Sequence, residues 1–101
     1  MIMMKLVDST NEAIFHKYQG YVGVLVFVAG SAWLMDLERL KAGSGYGGFH
    51  TSLILGYEKL SETLILFQTR NSEYVFEVVE GSFDENDPLL EIMIEQNKLL
   101  F

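Results

Sequence analysis

Cysteine is absent from this 101-residue chain, which excludes disulfides, thiolate nucleophiles and cysteine-ligated zinc and makes a reducing cytoplasm the expected compartment. Proline occurs once, at Pro88, so no proline-rich linker divides the chain. Basic clusters are missing as well: Lys5, Lys17, Arg39, Lys41, Lys59, Arg70 and Lys98 are scattered along the sequence. With 14 acidic against 7 basic residues and a formal net charge of −7, the molecule repels a polyanion. Direct nucleic-acid binding is therefore not expected, whereas a protein partner with a basic surface is.

A long apolar run is lacking too. The uncharged stretch from Tyr18 to Met35 just reaches the length of about 18 residues at which a spanning helix has to be weighed. Gln19, Gly20, Gly23, Gly30 and Ser31 interrupt it, and its centre, Val22 to Ala29, is rich in β-branched Val. It reads as a buried strand followed by a turn, with no membrane span. The N-terminal Met1 to Val7 carries a lone Lys5 and gives way to the polar run Asp8 to Glu12, which is not the layout of a secretory signal.

Catalytic and metal motifs are equally scarce. His16 and His50 are the only histidines, with neither H-x-x-x-H nor H-E-x-x-H spacing. His50-Thr51-Ser52 invites the idea of a nucleophile and its base. On a strand, however, residues two apart are separated by roughly 6 to 7 Å along the backbone, and no G-x-S-x-G elbow surrounds any Ser. Asp84-Glu85-Asn86-Asp87 offers oxygen ligands without the Gly and distal Glu of a calcium loop. No cofactor, metal or catalytic residue is assigned, and an enzyme is not expected.

What is present is a core-forming composition: 50% hydrophobic and 13% aromatic residues, with a mean hydropathy of +0.20. A domain this small leaves much of its surface exposed, so the surplus favours apolar contact with another subunit or partner, a homo-oligomer included. Met1 to Val7 reads as a first strand. Ser9 and Glu12, at capping-box spacing, open a helix of about two turns. Tyr21 to Ala29 reads as a central strand buried on both faces. In Ser31 to Lys41, Trp33, Leu34, Leu37 and Leu40 fall at helical spacing, which favours an amphipathic helix over the alternative of an alternating strand. Ala42 to Gly48 is a loop. Phe49 to Tyr57, Thr63 to Thr69 and Tyr74 to Glu80 form an antiparallel meander. Asp87-Pro88 then caps and starts a C-terminal helix to about Lys98, with Leu89, Leu90, Met93, Ile94 and Leu100 as its buried stripe. The expectation is a single α+β domain over residues 1–101: a small antiparallel β-meander sheet with two or three helices packed on it.

Two features bear on binding. Gly43, Gly45 and Gly48 match G-x-G-x-x-G but follow a helix and precede a strand, the reverse of a phosphate-binding turn; a nucleotide or small-ligand site there is the weaker alternative. Tyr46 and Phe49 instead place aromatic rings on a glycine frame, suited to contact with a partner. The second feature is acidic. Glu73, Glu77, Glu80, Asp84, Glu85 and Asp87 are interleaved with Tyr74, Phe76 and Phe83, which is either a solvated rim or an electronegative patch that docks on a basic surface. The expected partner contacts are Tyr46, Phe49, Glu73, Tyr74, Asp84 and Glu85. This small, acidic, cysteine-free profile resembles, as a class, the inhibitors encoded by phages and other mobile elements, among them anti-CRISPR and anti-restriction proteins, and toxin-neutralising immunity proteins. The resemblance implies a stoichiometric inhibitor of a basic or nucleic-acid-handling protein.

Overall fold

In the computed structural model, which describes residues 1–45 and 47–100, the strands β1 (Met3–Ser9), β2 (Val22–Val28), β3 (Ser31–Met35), β4 (Phe49–Lys59), β5 (Leu64–Thr69) and β6 (Glu73–Glu80) pair antiparallel, each with the next. β6 returns to β1, with Leu6 opposite Phe76, and closes the meander into a barrel. Helix α1 (Glu12–Tyr18) joins β1 to β2, α2 (Leu37–Ala42) joins β3 to β4, and α3 (Pro88–Lys98) follows β6. The expected α+β meander with its packed helices is the fold observed.

Strand alternation decides what fills the barrel. Met4, Leu6, Leu34, Ile54, Ile65, Phe67 and Phe76 are at most 1% exposed. All but Ile54 hold the same inward parity as the other core residues of their strands, and in β4 the register shift opposite Ser31–Trp33 moves the inward face from Phe49 and Thr51 to Ile54. Burying such a side chain contributes about 1.5–3 kcal/mol. The Phe67 and Phe76 rings meet at 5.6 Å, and Phe49 joins Phe76 at 6.3 Å. Among the described residues, the strands bury one polar side chain: Thr51, 1% exposed. Its Oγ1 accepts the Ala32 N–H at 3.1 Å and donates to Ser52 O at 2.7 Å. That hydroxyl supplies the partner which the β3–β4 ladder loses at the register shift between Ser31 and Trp33.

The segment 31–41 departs from its expected helix. Ala29 (φ 51) and Gly30 (φ 85) form a two-residue hairpin turn that folds Ser31–Met35 back onto β2, from Ser31 opposite Val28 to Met35 opposite Val24. Positive φ at both turn residues is the geometry that suits a tight hairpin. The helix starts only at Leu37, where Asp36 accepts the N–H groups of Glu38 at 2.9 Å and Arg39 at 3.2 Å. The segment is therefore a strand over its first part, Ser31–Met35, and a helix from Leu37 on.

Three smaller expectations change. The cap of α1 is Asn11, whose Oδ1 accepts the Ile14 N–H at 3.2 Å, while Ser9 Oγ takes the Asn11 N–H at 3.0 Å. β2 is not buried on both faces. Val22 and Val28 are 42% and 41% exposed, because a closed barrel has an outside and no central strand. In α3 the Asp87 cap and Pro88 start are as expected, but Leu89 and Leu100 are exposed. The buried stripe is Leu90, Ile94 and Asn97.

Candidate functional site

β1 and β2 pair only from Met3 opposite Val24 to Lys5 opposite Val22. Beyond that point the Leu25 N–H donates to Ile2 O at 2.9 Å, and the rest of β2 is paired on its β3 side alone. α3 lies along the vacated side. Leu90 and Ile94 enter the core, and Asn97 Nδ2 ties its far end to Gly30 O at 3.0 Å and Ile54 O at 2.8 Å. Between β2 and α3 runs a groove in two adjoining depressions of about 550 Å³ and about 220 Å³, which share Leu25, Phe27, Asp87 and Leu90. Met93 extends its apolar floor and Asp84 stands on its wall. Leu89, 73% exposed, forms its lip.

The acidic wall is held in place by aromatic packing. Gly81 turns the chain at φ 83, where a Cβ would come within 2.6 Å of Met1 O. Phe83 then packs edge-on against Tyr57 at 5.6 Å and Phe67 at 5.8 Å, and the Tyr57 hydroxyl donates to Glu85 O. Burial pushes the Tyr57 phenol above its ordinary pKa, and the negative charges of Glu91, Glu85 and Asp84 push it the same way. The acids around this end of the molecule thus act on one point. Asp84 Oδ1 accepts the Asn86 N–H at 2.9 Å, and Asp87 Oδ1 accepts the Leu89 N–H at 2.9 Å, which fixes both carboxylates.

The residues expected to contact a partner do not form one patch. Asp84 and Glu85 lie together beside the groove, exposed. Glu73 is at the opposite end of β6, about 23 Å from Glu80 at roughly 3.3 Å per residue. There it lines a separate depression of about 300 Å³ with Asp8, Leu66 and Val75. Midway, Glu77 is paired with Lys5 at 3.2 Å. Phe49 and Tyr74 leave the contact surface altogether: they are 5% and 3% exposed, both in the core. Their rings stack at 6.3 Å, since each occupies the inward parity of its strand. Tyr46 lies outside the described residues. Of the groove residues, Leu90 and Met93 are expected from sequence only in the buried stripe of the C-terminal helix, and Leu25 and Phe27 only within a buried strand; none is expected at a contact surface. Leu89, expected in the buried stripe, instead stands exposed at the groove's edge.

The other candidates have structural roles. Ser52 Oγ donates to Thr69 Oγ1 at 2.9 Å, and Thr69 Oγ1 donates to Ser72 O at 2.7 Å. The His50 ring stacks on Trp33 at 4.4 Å, with Nδ1 3.1 Å from Thr51 O. In the glycine loop, Gly43 ends α2 in the left-handed region, and a Cβ on Gly48 would stand 1.9 Å from Leu34 O. Close approach to β3 therefore accounts for glycine at that position. Among the described residues, no group of three or more His, Asp or Glu is placed to hold a metal, and no helix is long and apolar enough to cross a membrane. Comparison with protein-family models, with curated proteins and with solved structures found no match for this chain.

Proposed function

We propose that this chain is a small protein-binding module that takes an apolar segment of a basic partner into the groove between β2 and α3, and acts stoichiometrically by covering the partner's site. The observation that carries the reading is the groove itself: an apolar floor of Leu25, Phe27, Leu90 and Met93 beside Asp84 and Asp87. An apolar centre with a charged rim is the layout of a protein contact, and a net charge of −7 speeds encounter with a cationic surface. A nucleic-acid-handling protein is one class of partner with such a surface, which keeps inhibition of that class as the mode of action proposed. Quantitative affinity capture from the native host, with wild type and the double variant Asp84→Lys, Leu89→Glu side by side, tests it. One protein retained by wild type and lost by the variant is the expected result; an unchanged set of retained proteins sinks the proposal.

A second reading has its own observation. The outward side of β2 carries Val22 and Val28, 42% and 41% exposed, with Trp33 opposite Val26 on β3, and no charged residue lies between Tyr18 and Met35. On a molecule that otherwise repels its copies, the apolar part of this face, bounded by Lys5 opposite Val22, favours a homodimer. Light scattering coupled to size exclusion, with Val22→Lys as the control, decides: a wild-type monomer at micromolar concentration removes it.

A further inference from the structure

We infer that the groove receives its occupant as an extended strand, hydrogen-bonded to the backbone of Phe27, so that the partner segment adds to the barrel at the one place where β2 lacks a neighbour. This rests on the protein-binding reading above and specifies its mode.

The hydrogen-bond parity of the β2–β3 hairpin fixes where Phe27 points. Val28 and Ser31 flank the two-residue turn at Ala29 and Gly30, which makes them a bonded pair. Pairs alternate in an antiparallel ladder, so Val26 and Trp33 are bonded, while Phe27 and Ala32 turn their N–H and C=O groups outward from the hairpin. The ladder on both sides agrees. The Ala32 N–H leaves β2 and donates to Thr51 Oγ1 on β4. Leu25, of the same parity as Phe27, donates away from β3 to Ile2 O. Phe27 therefore directs its N–H and C=O to the side on which β1 has already ended at Met3. That side is the groove, with Leu90 and Met93 on its floor and Asp87 and Leu89 at its far edge.

An occupant that seals this groove removes water from both backbone groups of Phe27, so they need new partners. A helix satisfies its own backbone and brings none. An extended segment offers a donor and an acceptor at the same spacing and alternates its side chains. One set lies on Leu90 and Met93. Lysine or arginine at the flanks meets Asp84 and Asp87, an arrangement that matches the sign of the groove's charge.

The test uses the full chain and amide hydrogen exchange by nuclear magnetic resonance. In the free protein the Phe27 amide should exchange at least about tenfold faster than that of Val26, which is bonded to β3. The probe is the end-capped peptide Lys-Val-Leu-Val-Lys, beside a copy N-methylated at alternate amides. The unmodified peptide should slow Phe27 exchange, and the methylated copy should bind about tenfold more weakly for each bond lost. If Phe27 is already as protected as Val26, the edge is taken and the inference is overturned. If the peptide shifts the Leu89 and Leu90 amides while Phe27 still exchanges freely and methylation changes nothing, strand addition is wrong and the protein-binding groove stands. If neither peptide perturbs the groove at millimolar concentration, both fall.

Discussion

The side-chain amide of Asn97, near the end of α3, donates to the carbonyl of Gly30 in the β2–β3 turn at 3.0 Å, and to Ile54 O on β4 at 2.8 Å. Asn97 is 5% exposed, and the pair fastens the far end of the groove. A side chain at Gly30 would be strained at φ 85 and would displace the Asn97 amide, since a Cβ would lie 2.4 Å from Asn97 Oδ1.

Asn97→Ala is accordingly expected to lower stability by about 1–3 kcal/mol, since a buried carbonyl loses its donor. Urea unfolding measures it, and amide exchange in α3 should accelerate more than in β5. A loss below about 0.5 kcal/mol would show that the α3 anchor lies elsewhere.

Ala29 holds φ 51, a left-handed conformation that disfavours Ala and suits Asn or Gly at the first position of this turn. Ala29→Asn should stabilise by about 0.5–1 kcal/mol and raise the melting temperature by a few degrees. A lower melting temperature would contradict the turn assignment. Gly30→Ala should destabilise in the same assay.

Two tyrosines make a contrasting pair. The Tyr21 hydroxyl is buried and has no hydrogen-bond partner among the described residues, so Tyr21→Phe should be neutral or stabilising by up to about 1 kcal/mol. Tyr57→Phe removes the donor to Glu85 O and should cost about 0.5–1.5 kcal/mol. Denaturant midpoints for the two variants should move in opposite directions or only for Tyr57.

Stability should also fall in alkali. Burial raises the pKa of Tyr21, Tyr57 and Tyr74, with nearby acids, Asp36 and Glu91 foremost, adding to the first two. In the unfolded chain a phenol loses its proton near pH 10, whereas these three hold theirs to higher pH when folded. Their contribution is therefore complete below about pH 10 and is lost as pH rises through the folded values. Unfolding free energies measured from pH 8 to 11 should decline above pH 10, and Tyr21→Phe should make the decline shallower. An unaltered slope in that variant would show that Tyr21 takes no part.

How far the sequence reaches differs by element. The Asp87-Pro88 start of α3 and the strands beginning at Phe49, Leu64 and Glu73 were legible because caps, prolines and alternation act locally. Residues 31–41 were not, because an Ala-Gly hairpin lacks the usual Asn-Gly signature, and Leu34, Leu37 and Leu40 keep helical spacing by coincidence across a strand and a helix. Phe49 and Tyr74 looked available for contact because alternation separates two faces without saying which one the closing barrel encloses. The groove could not be read at all. It exists because β1 stops short of β2's last residues and α3, some sixty positions later in the chain, comes to lie beside them.

Closure of the barrel by β1 against β6 sets the order in which this chain can become whole. Residues 3–9 have to wait for residues 73–80, so ribosomal synthesis delivers five strands before the sixth can join the two ends. Until then β1 and β5 are bare edges, the condition that invites pairing between nascent chains. The same long-range join gives the barrel a high contact order and slow folding relative to a helical domain of its size.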